Sequence, residues 1–398
     1  MPERTAVLVL NAISPSGLAL LPASTYRIGT DSQDIGEPAA ILLRSADLHN
    51  RNIPASVQAV GRAGAGTNNI PVAALTARGV PVFNTPGANA GAVKELVLAG
   101  MLLAARNLAP ALRFVAALDT APPDIDKTVE DGKKAFAGRE LQGHTLGIVG
   151  LGKIGCLVAD AAIKLGMRVL GYDPDITVDA AWSLPAQVRR AASVNEVLRQ
   201  SDFVTLHVPL LAATRHLVGV GNIGLMRPDS VLLNFSRDGV VDNQAVLEAL
   251  GKGTLGHYVC DFPSAELHGH DRVVALPHLG ASTREAEENC AVMVVEQLRD
   301  YLEHGHIANA VNFPAVHMAR ESAYRVAIAN ANVPNMLAQI SAAMAHAGLN
   351  IHNMVNKSRG DMAYTLVDVE SAVAPEVLAA LAGIEGVLAV RYLPETAH

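Results

Sequence analysis

The chain has 398 residues, half of them hydrophobic and only 4% aromatic, with a formal net charge of −7. A length of this order predicts two or three domains, at roughly 100–200 residues each. The acidic balance and the lack of a basic block argue against nucleic-acid or membrane-surface partners. No apolar run approaches the roughly 18 residues of a membrane span. "MPERTAVLVL" has charges before a run too short for a signal peptide. Cys156, Cys260 and Cys290 lack metal-type spacing and read as small core residues in a reducing, cytoplasmic compartment.

In chain order, "TAVLVL", "AAILLRSA", "VQAVGRAGAG" and "GVPVFNTPG" read as strands, with helical spacing in "PVAALTARG". That rhythm predicts a parallel βαβ sheet. "GAVKELVLAGMLLAARNLAPALRFVAAL" reads as a long apolar helix interrupted at Pro110. "DTAPPDIDKTVEDGKK" reads as a polar surface loop, with Lys133 and Lys134 on a solvated face. Six further strands follow: "TLGIVG", "MRVLGYD", "SDFVTLHVP", "SVLLNFSR", "GHYVCDFP" and "RVVALP". The stretches "CLVADAAIKLG", "VNEVLRQ" and "NQAVLEALGKG" supply helices between them. This is the count of a doubly wound, Rossmann-like nucleotide domain. The helix "REAEENCAVMVVEQLRDYLEHG" is expected to return to the first domain. The last stretch reads β–α–β–β–α–β, a ferredoxin-like plan, and is expected to form a separate module. The expected division is 1–100 with 288–318, 101–287, and 322–398.

"GLGKIG" places Gly150, Gly152 and Gly155 between an apolar strand and a helix. Gly150 permits the tight turn, Gly152 lets backbone approach a pyrophosphate, and Gly155 permits close helix–strand packing. Lys153 and Ile154 complete the turn, whose helix N-terminus favours phosphates. Asp173 closes the next strand and suits both ribose hydroxyls. Pro174, not an arginine, follows it, which favours NAD over NADP.

Arg237 follows the fourth strand of this segment, Glu266 the fifth and His278 the sixth. Ligands of open α/β sheets bind beyond the C-terminal strand ends, so the three are expected to converge. Reduction of a 2-oxo acid needs a hydride for carbon and a proton for oxygen. A histidine suits the proton. A carboxylate supports its charged form, and an arginine clamps the substrate carboxylate.

The stretches "VGRAGAGTNNI", "NTPGANAGAVKEL", "ELQGHTLGIVGLGKIG", "LHVPLLAATRHLVG", "LNFSRDGVVD", "DFPSAEL" and "PHLGAST" resemble the D-isomer-specific 2-hydroxyacid dehydrogenases, in that family's order. The resemblance implies His278 as acid/base, Glu266 as its partner and Arg237 as clamp. It implies a flavodoxin-like substrate domain. There, Ala65 and Gly66 hold the substrate carboxylate through backbone amides, Asn69 is a polar loop residue, and Arg62, Arg44 and Ser45 are substrate candidates. It adds His207, Val208, Pro209, Thr214, Asn234, Phe235, Ser236, Asp261, His278 and Gly280 to the NAD set. No metal is implied. Two departures are Leu267 after Glu266, where the family often has proline, and Asp238 after Arg237, where glycine is usual.

The last module resembles an ACT domain, which many members oxidising 3-phospho-D-glycerate for L-serine synthesis carry. The implied reaction is NAD-dependent oxidation to 3-phosphohydroxypyruvate. The alternatives are another D-2-hydroxy acid (glyoxylate/hydroxypyruvate or 2-hydroxyglutarate) and a non-catalytic NAD-sensing, corepressor-like protein. ACT domains pair edge to edge, so a homo-oligomer, dimer or tetramer, is expected. Asn330, Asn332 and Asn350 match positions that hold an amino-acid effector, with L-serine the candidate, though Asn335 replaces a glycine there and turn-capping is the competing role.

Overall fold

The computed structural model describes residues 4–118 and 125–395. Internal contacts divide the chain into two compact units, Met1–Ala88 with Glu287–His398, and Asn89–Ala286.

The first unit contains a parallel sheet of β1 (Thr5–Leu10), β2 (Tyr26–Gly29), β3 (Ala40–Leu43), β4 (Ala59–Arg62) and β5 (Val82–Phe83). Its order is β2-β1-β3-β4-β5, the flavodoxin-like order. All four residues of β3, "AILL", are buried, as a parallel strand covered on both faces requires. β2 was not expected; it is a short edge strand with Arg27 in its middle. The helix Arg284–His304 enters this unit at Glu287. Its stripe of Ala291, Val294, Val295, Leu298 and Tyr301 packs on Val7, Val9, Leu42, Ala59 and Phe83.

The same unit contains an antiparallel sheet of β13 (Tyr324–Ala331), β14 (Ile351–Arg359), β15 (Met362–Val369) and β16 (Val387–Pro394). Its order is β14-β15-β13-β16, the ferredoxin-like arrangement with helices Met336–His346 and Pro375–Ala382. Alternation along β13 divides its side chains. Val326 and Ile328 join the core under those helices. Ala327 and Ala329, with Tyr364, Leu366 and Leu393, join the core that also holds β1, β3 and the helix Arg284–His304. The expected separate module is therefore packed on both faces. A buried ion pair, Arg325 Nε to Asp368 Oδ1 at 2.7 Å, joins β13 to β15. Arg325 also donates to the His304 carbonyl at the helix end.

The second unit holds β6 (Thr145–Val149), β7 (Arg168–Tyr172), β8 (Arg189–Arg190), β9 (Phe203–Leu206), β10 (Val231–Asn234), β11 (His257–Cys260) and β12 (Val273–Ala275). They form one parallel sheet in the order β12-β11-β10-β9-β6-β7-β8. Six are the expected strands; β8 is an exposed arginine pair at the edge with no apolar signal.

The helix Ala90–Ala105 lies wholly in this second unit. The expected boundary at residue 100 cuts through it. Its buried face, Val93, Val97, Met101 and Ala104, packs on Phe235, Val259 and Leu146, and this packing sets the boundary after Ala88. The helix ends at Arg106, and the chain bends by 70° into Leu108–Ala116. The break precedes Pro110 because a proline ring clashes with the carbonyl four residues earlier, here Arg106. Asn107 makes the turn at φ 49°. Of the expected polar loop, residues 119–124 lie outside the described residues. The rest is the helix Ile125–Gly132 and a short 3-10 turn, Lys133–Phe136. Lys133 and Lys134 are exposed there and pair with Glu130 and Asp131. Among the described residues no single helix is long and apolar enough to cross a membrane.

Candidate active site

β6 ends in the glycine turn. Gly150 has φ +95°, and a Cβ there would meet the His207 carbonyl oxygen at 2.4 Å. A Cβ on Gly155 would lie 2.1 Å from the Gly150 oxygen. The turn therefore closes only with glycine at both positions. Gly152 faces open space and begins the helix Lys153–Lys164 without a side-chain cap. Uncapped N–H groups at a helix start suit a phosphate. Asp173, after β7, accepts Leu151 N at 2.8 Å and Asp175 N at 3.0 Å. It thus fixes the glycine turn and keeps free carboxylate lone pairs at the end of its strand. These features fit a dinucleotide pyrophosphate and ribose.

His207 follows β9, with Nε2 3.0 Å from Thr205 Oγ1 and a buried Nδ1 that has no partner. Burial pushes it down to about 3, so the ring is neutral at physiological pH. Val208 and Pro209 continue past the glycine turn. Thr214 was expected near the diphosphate, but its hydroxyl accepts from Leu211 N and donates to Pro209 O, closing its own loop.

Arg237 and His278 stand beyond β10 and β12, both exposed. Each lies on a loop held by a buried polar residue. Asn234 is fully buried; its Oδ1 accepts Ser236 Oγ at 2.8 Å and its Nδ2 donates to the Arg237 carbonyl at 2.9 Å. Asp261 is 1% exposed and accepts Leu279 N at 2.7 Å and Gly280 N at 2.8 Å. His278 itself takes φ 57°, an uncommon left-handed backbone for a non-glycine residue. The edge of its ring pair with Phe262 lies at 5.2 Å between centroids.

Asn234, Ser236 and Asp261 were expected to touch the cofactor. Their side-chain polar atoms instead brace the two loops. Phe235 was expected there too, but its ring is buried against Gly100 and Val259. Glu266 does not reach His278. It is exposed on a turn anchored by the buried Leu267, and no hydrogen bond joins the two. Phe262, absent from the expected site, holds the histidine ring; nothing in its sequence neighbourhood marked it.

The first unit carries the expected substrate loop beyond β3 and β4. Arg62 Nε donates to the Arg44 carbonyl at 3.1 Å. Asn69 Nδ2 donates to the carbonyls of Arg44 and Ala46, so Asn69 is a brace within the loop. Asn84 Nδ2 holds the Ala65 carbonyl at 2.6 Å. The amides of Ala65 and Gly66 donate to no acceptor among the described residues. Ser45 is exposed beside Arg44. Arg44 pairs with Glu287 at 2.7 Å, a partner with no signal in the sequence.

Residues 98–280 match the family described as D-isomer specific 2-hydroxyacid dehydrogenase, NAD binding domain. A D-3-phosphoglycerate dehydrogenase of Escherichia coli is 32% identical over 358 residues, 86% of this chain and 83% of the relative. The chain belongs to the D-isomer-specific 2-hydroxyacid dehydrogenase family. A D-3-phosphoglycerate dehydrogenase of Methanocaldococcus jannaschii is 36% identical over 293 residues, 71% of this chain, but the match spans only 53% of that relative. The fold is shared with a cofactor (NAD+) bound 3-phosphoglycerate dehydrogenase of Entamoeba histolytica, at TM-score 0.61 and 22% identity over 77% of this chain and 98% of that one.

In this family member the expected effector asparagines are largely engaged with backbone. Asn330 is buried, donates to the Ala331 carbonyl and leaves Oδ1 without a partner. Asn332 donates to the Gly360 carbonyl at 3.0 Å. Asn350 is exposed, and among the described residues only its backbone carbonyl is engaged, accepting Glu370 N. Asn335 takes φ 67° at the helix start, the left-handed conformation that asparagine tolerates better than most residues.

Proposed function

We propose that the chain is an NAD-dependent dehydrogenase interconverting 3-phospho-D-glycerate and 3-phosphohydroxypyruvate. The observation that carries this reading is the pair of braced loops presenting Arg237 and His278 in the unit that holds the glycine turn. The similarity to D-3-phosphoglycerate dehydrogenases supports the choice of acid. The three free cysteines suit a reducing cytoplasm.

Gly150, Gly152, Gly155 and the first amides of the following helix hold the pyrophosphate, and Asp173 accepts from the ribose hydroxyls. When bound, NAD supplies the hydride-accepting chemistry. Arg237 binds the substrate carboxylate through two N–H groups and polarises C2. In the first unit, the free amides of Ala65 and Gly66 are donors suited to a carboxylate, and Arg62 and Arg44 supply positive charge suited to a phosphate. His278 removes the proton from the C2 hydroxyl as the C–H bond breaks, and returns it in the reverse direction. Glu266 is the carboxylate assigned to stabilise the imidazolium, by a hydrogen bond formed in the substrate complex. Such hydrogen bonds tighten only in the substrate complex, in keeping with their separation here.

One observation favours a second reading. Arg44 is neutralised by Glu287, which weakens its attraction for a phosphate and suits a smaller acid such as glyoxylate or hydroxypyruvate.

The test is NADH formation from 3-phosphoglycerate by wild type and His278→Ala. Losing a general acid/base lowers kcat by on the order of 10²–10⁴, with NADH binding by fluorescence retained. Near-normal turnover in the variant would move the proton transfer elsewhere.

A further inference from the structure

We propose that a groove at the base of the first unit binds a small phosphate-bearing anion, at the opposite end of the sheet from the substrate loop. The groove encloses about 470 Å³ and continues into a compartment of about 260 Å³; the two share Ser56, Gln58 and Arg391. Its floor is made by residues at the strand starts. Thr5 opens β1, Ala39 precedes β3 and Gln58 precedes β4. Arg44 follows β3, Arg62 ends β4, and the Gly64–Asn69 turn follows it. The strands are parallel, so the groove and the substrate loop lie at opposite edges.

Four arginines line it: Arg4, Arg27 and Arg391 in the larger part, and Arg78 in the smaller. None of them is in an ion pair among the described residues. Arg78 donates to the carbonyls of Ile53 and Pro54. Arg391 donates to those of Tyr301 and Leu302, with its guanidinium 4.3 Å from the Tyr301 ring centroid. Arg4 donates to the Ala23 carbonyl at 3.2 Å. Carbonyls orient a guanidinium and leave its charge uncompensated. Arg27 goes further: its Nε is buried and has no partner at all. The one lining carboxylate, Glu37, takes the Ser56 hydroxyl at 3.0 Å. Four cations around one carboxylate, in a chain of net charge −7, form a local site for an anion.

Arginine forks match phosphate oxygens in pairs, which favours phosphate over a singly charged acid. Arg27 belongs to β2 and Arg391 to β16, so a bound anion bridges the parallel sheet and the ferredoxin-like sheet. Occupancy therefore strengthens their packing, and the melting temperature rises with ligand concentration.

Inorganic pyrophosphate is the probe, titrated by calorimetry into the full chain with NAD saturating, so that the glycine turn is filled. Wild type and an Arg237→Ala variant should bind it alike. Arg27→Gln and Arg78→Gln should each bind at least about 5-fold more weakly, as expected for losing a charged hydrogen bond, and should lose the pyrophosphate-dependent rise in melting temperature. Arg27 makes no protein contact through Nε, so Arg27→Gln without ligand should melt like wild type. Absence of binding to wild type overturns the proposal. So does unchanged affinity in both groove variants, or binding that disappears with Arg237→Ala, which would place the anion on the substrate side.

Discussion

The buried carboxylate of Asp261 holds the amide of Gly280 at 2.8 Å, two residues beyond His278. Its other oxygen holds Leu279 N. One side chain at the end of β11 thus fixes the backbone that follows the histidine, and the left-handed turn at His278 is kept in place by these two charge-assisted bonds. Asp261→Asn keeps the shape but turns an N–H donor toward one of the two amides. A misplacement of about 1 Å at a reacting group can cost about 100-fold in rate. The variant should lose roughly 10- to 100-fold in kcat, with the KM for NADH changed little. Equal kcat in wild type and variant would show that the loop holds its position without Asp261.

In the proposed function Asp173 sets the preference for NAD over NADP. Its carboxylate accepts Leu151 N, and in that reading a carboxylate at this strand end would repel a 2′-phosphate. Asp173→Asn keeps an acceptor for the turn and removes the charge. The ratio of kcat/KM for NAD to that for NADP should fall by about 10-fold or more, the scale of one hydrogen bond to a charged group. An unchanged ratio would mean that discrimination lies elsewhere.

His207 makes the nucleotide unit acid-sensitive. Its folded value is pushed down to about 3 from an ordinary 6.5. Below pH 6.5 the unfolded chain takes up a proton that the folded chain refuses, so stability is present above that pH. It is lost progressively as pH falls toward 3, where the folded ring is also protonated. Burial lowers His257 in the same unit and His304 in the first unit as well, and both act in the same direction. His207→Gln should narrow the difference in melting temperature between pH 7 and pH 5 without removing it. The same difference in both proteins would show that His207 is not protonation-sensitive in that range.

Much of this architecture is legible in the sequence where apolar runs end in glycine or proline. The six long strands of the nucleotide unit, the glycine turn, and the positions of Arg237 and His278 at strand ends all follow from such runs. Edge pieces with no apolar run, such as Arg189–Arg190 and the strand containing Arg27, leave no such trace. The polar residues of the site are a different matter. Asn69, Thr214, Asn234 and Asp261 have the chemistry of ligand contacts, and a sequence shows the type of a side chain but not its direction. Backbone amides and carbonyls of their own loops take up their polar atoms. The docked face of the C-terminal sheet was hidden for a similar reason: Ala327 and Ala329 are small enough to read as solvent-tolerant, and only packing shows that they are buried.

The central claim is the identity of the acid. Oxidation of NADH by the wild-type chain with 3-phosphohydroxypyruvate, hydroxypyruvate, glyoxylate and 2-oxoglutarate, each over a full concentration range, tests it most directly. The highest kcat/KM should be for 3-phosphohydroxypyruvate, by at least about 10-fold, the scale of one added charged contact. A higher kcat/KM for any of the unphosphorylated acids would contradict it.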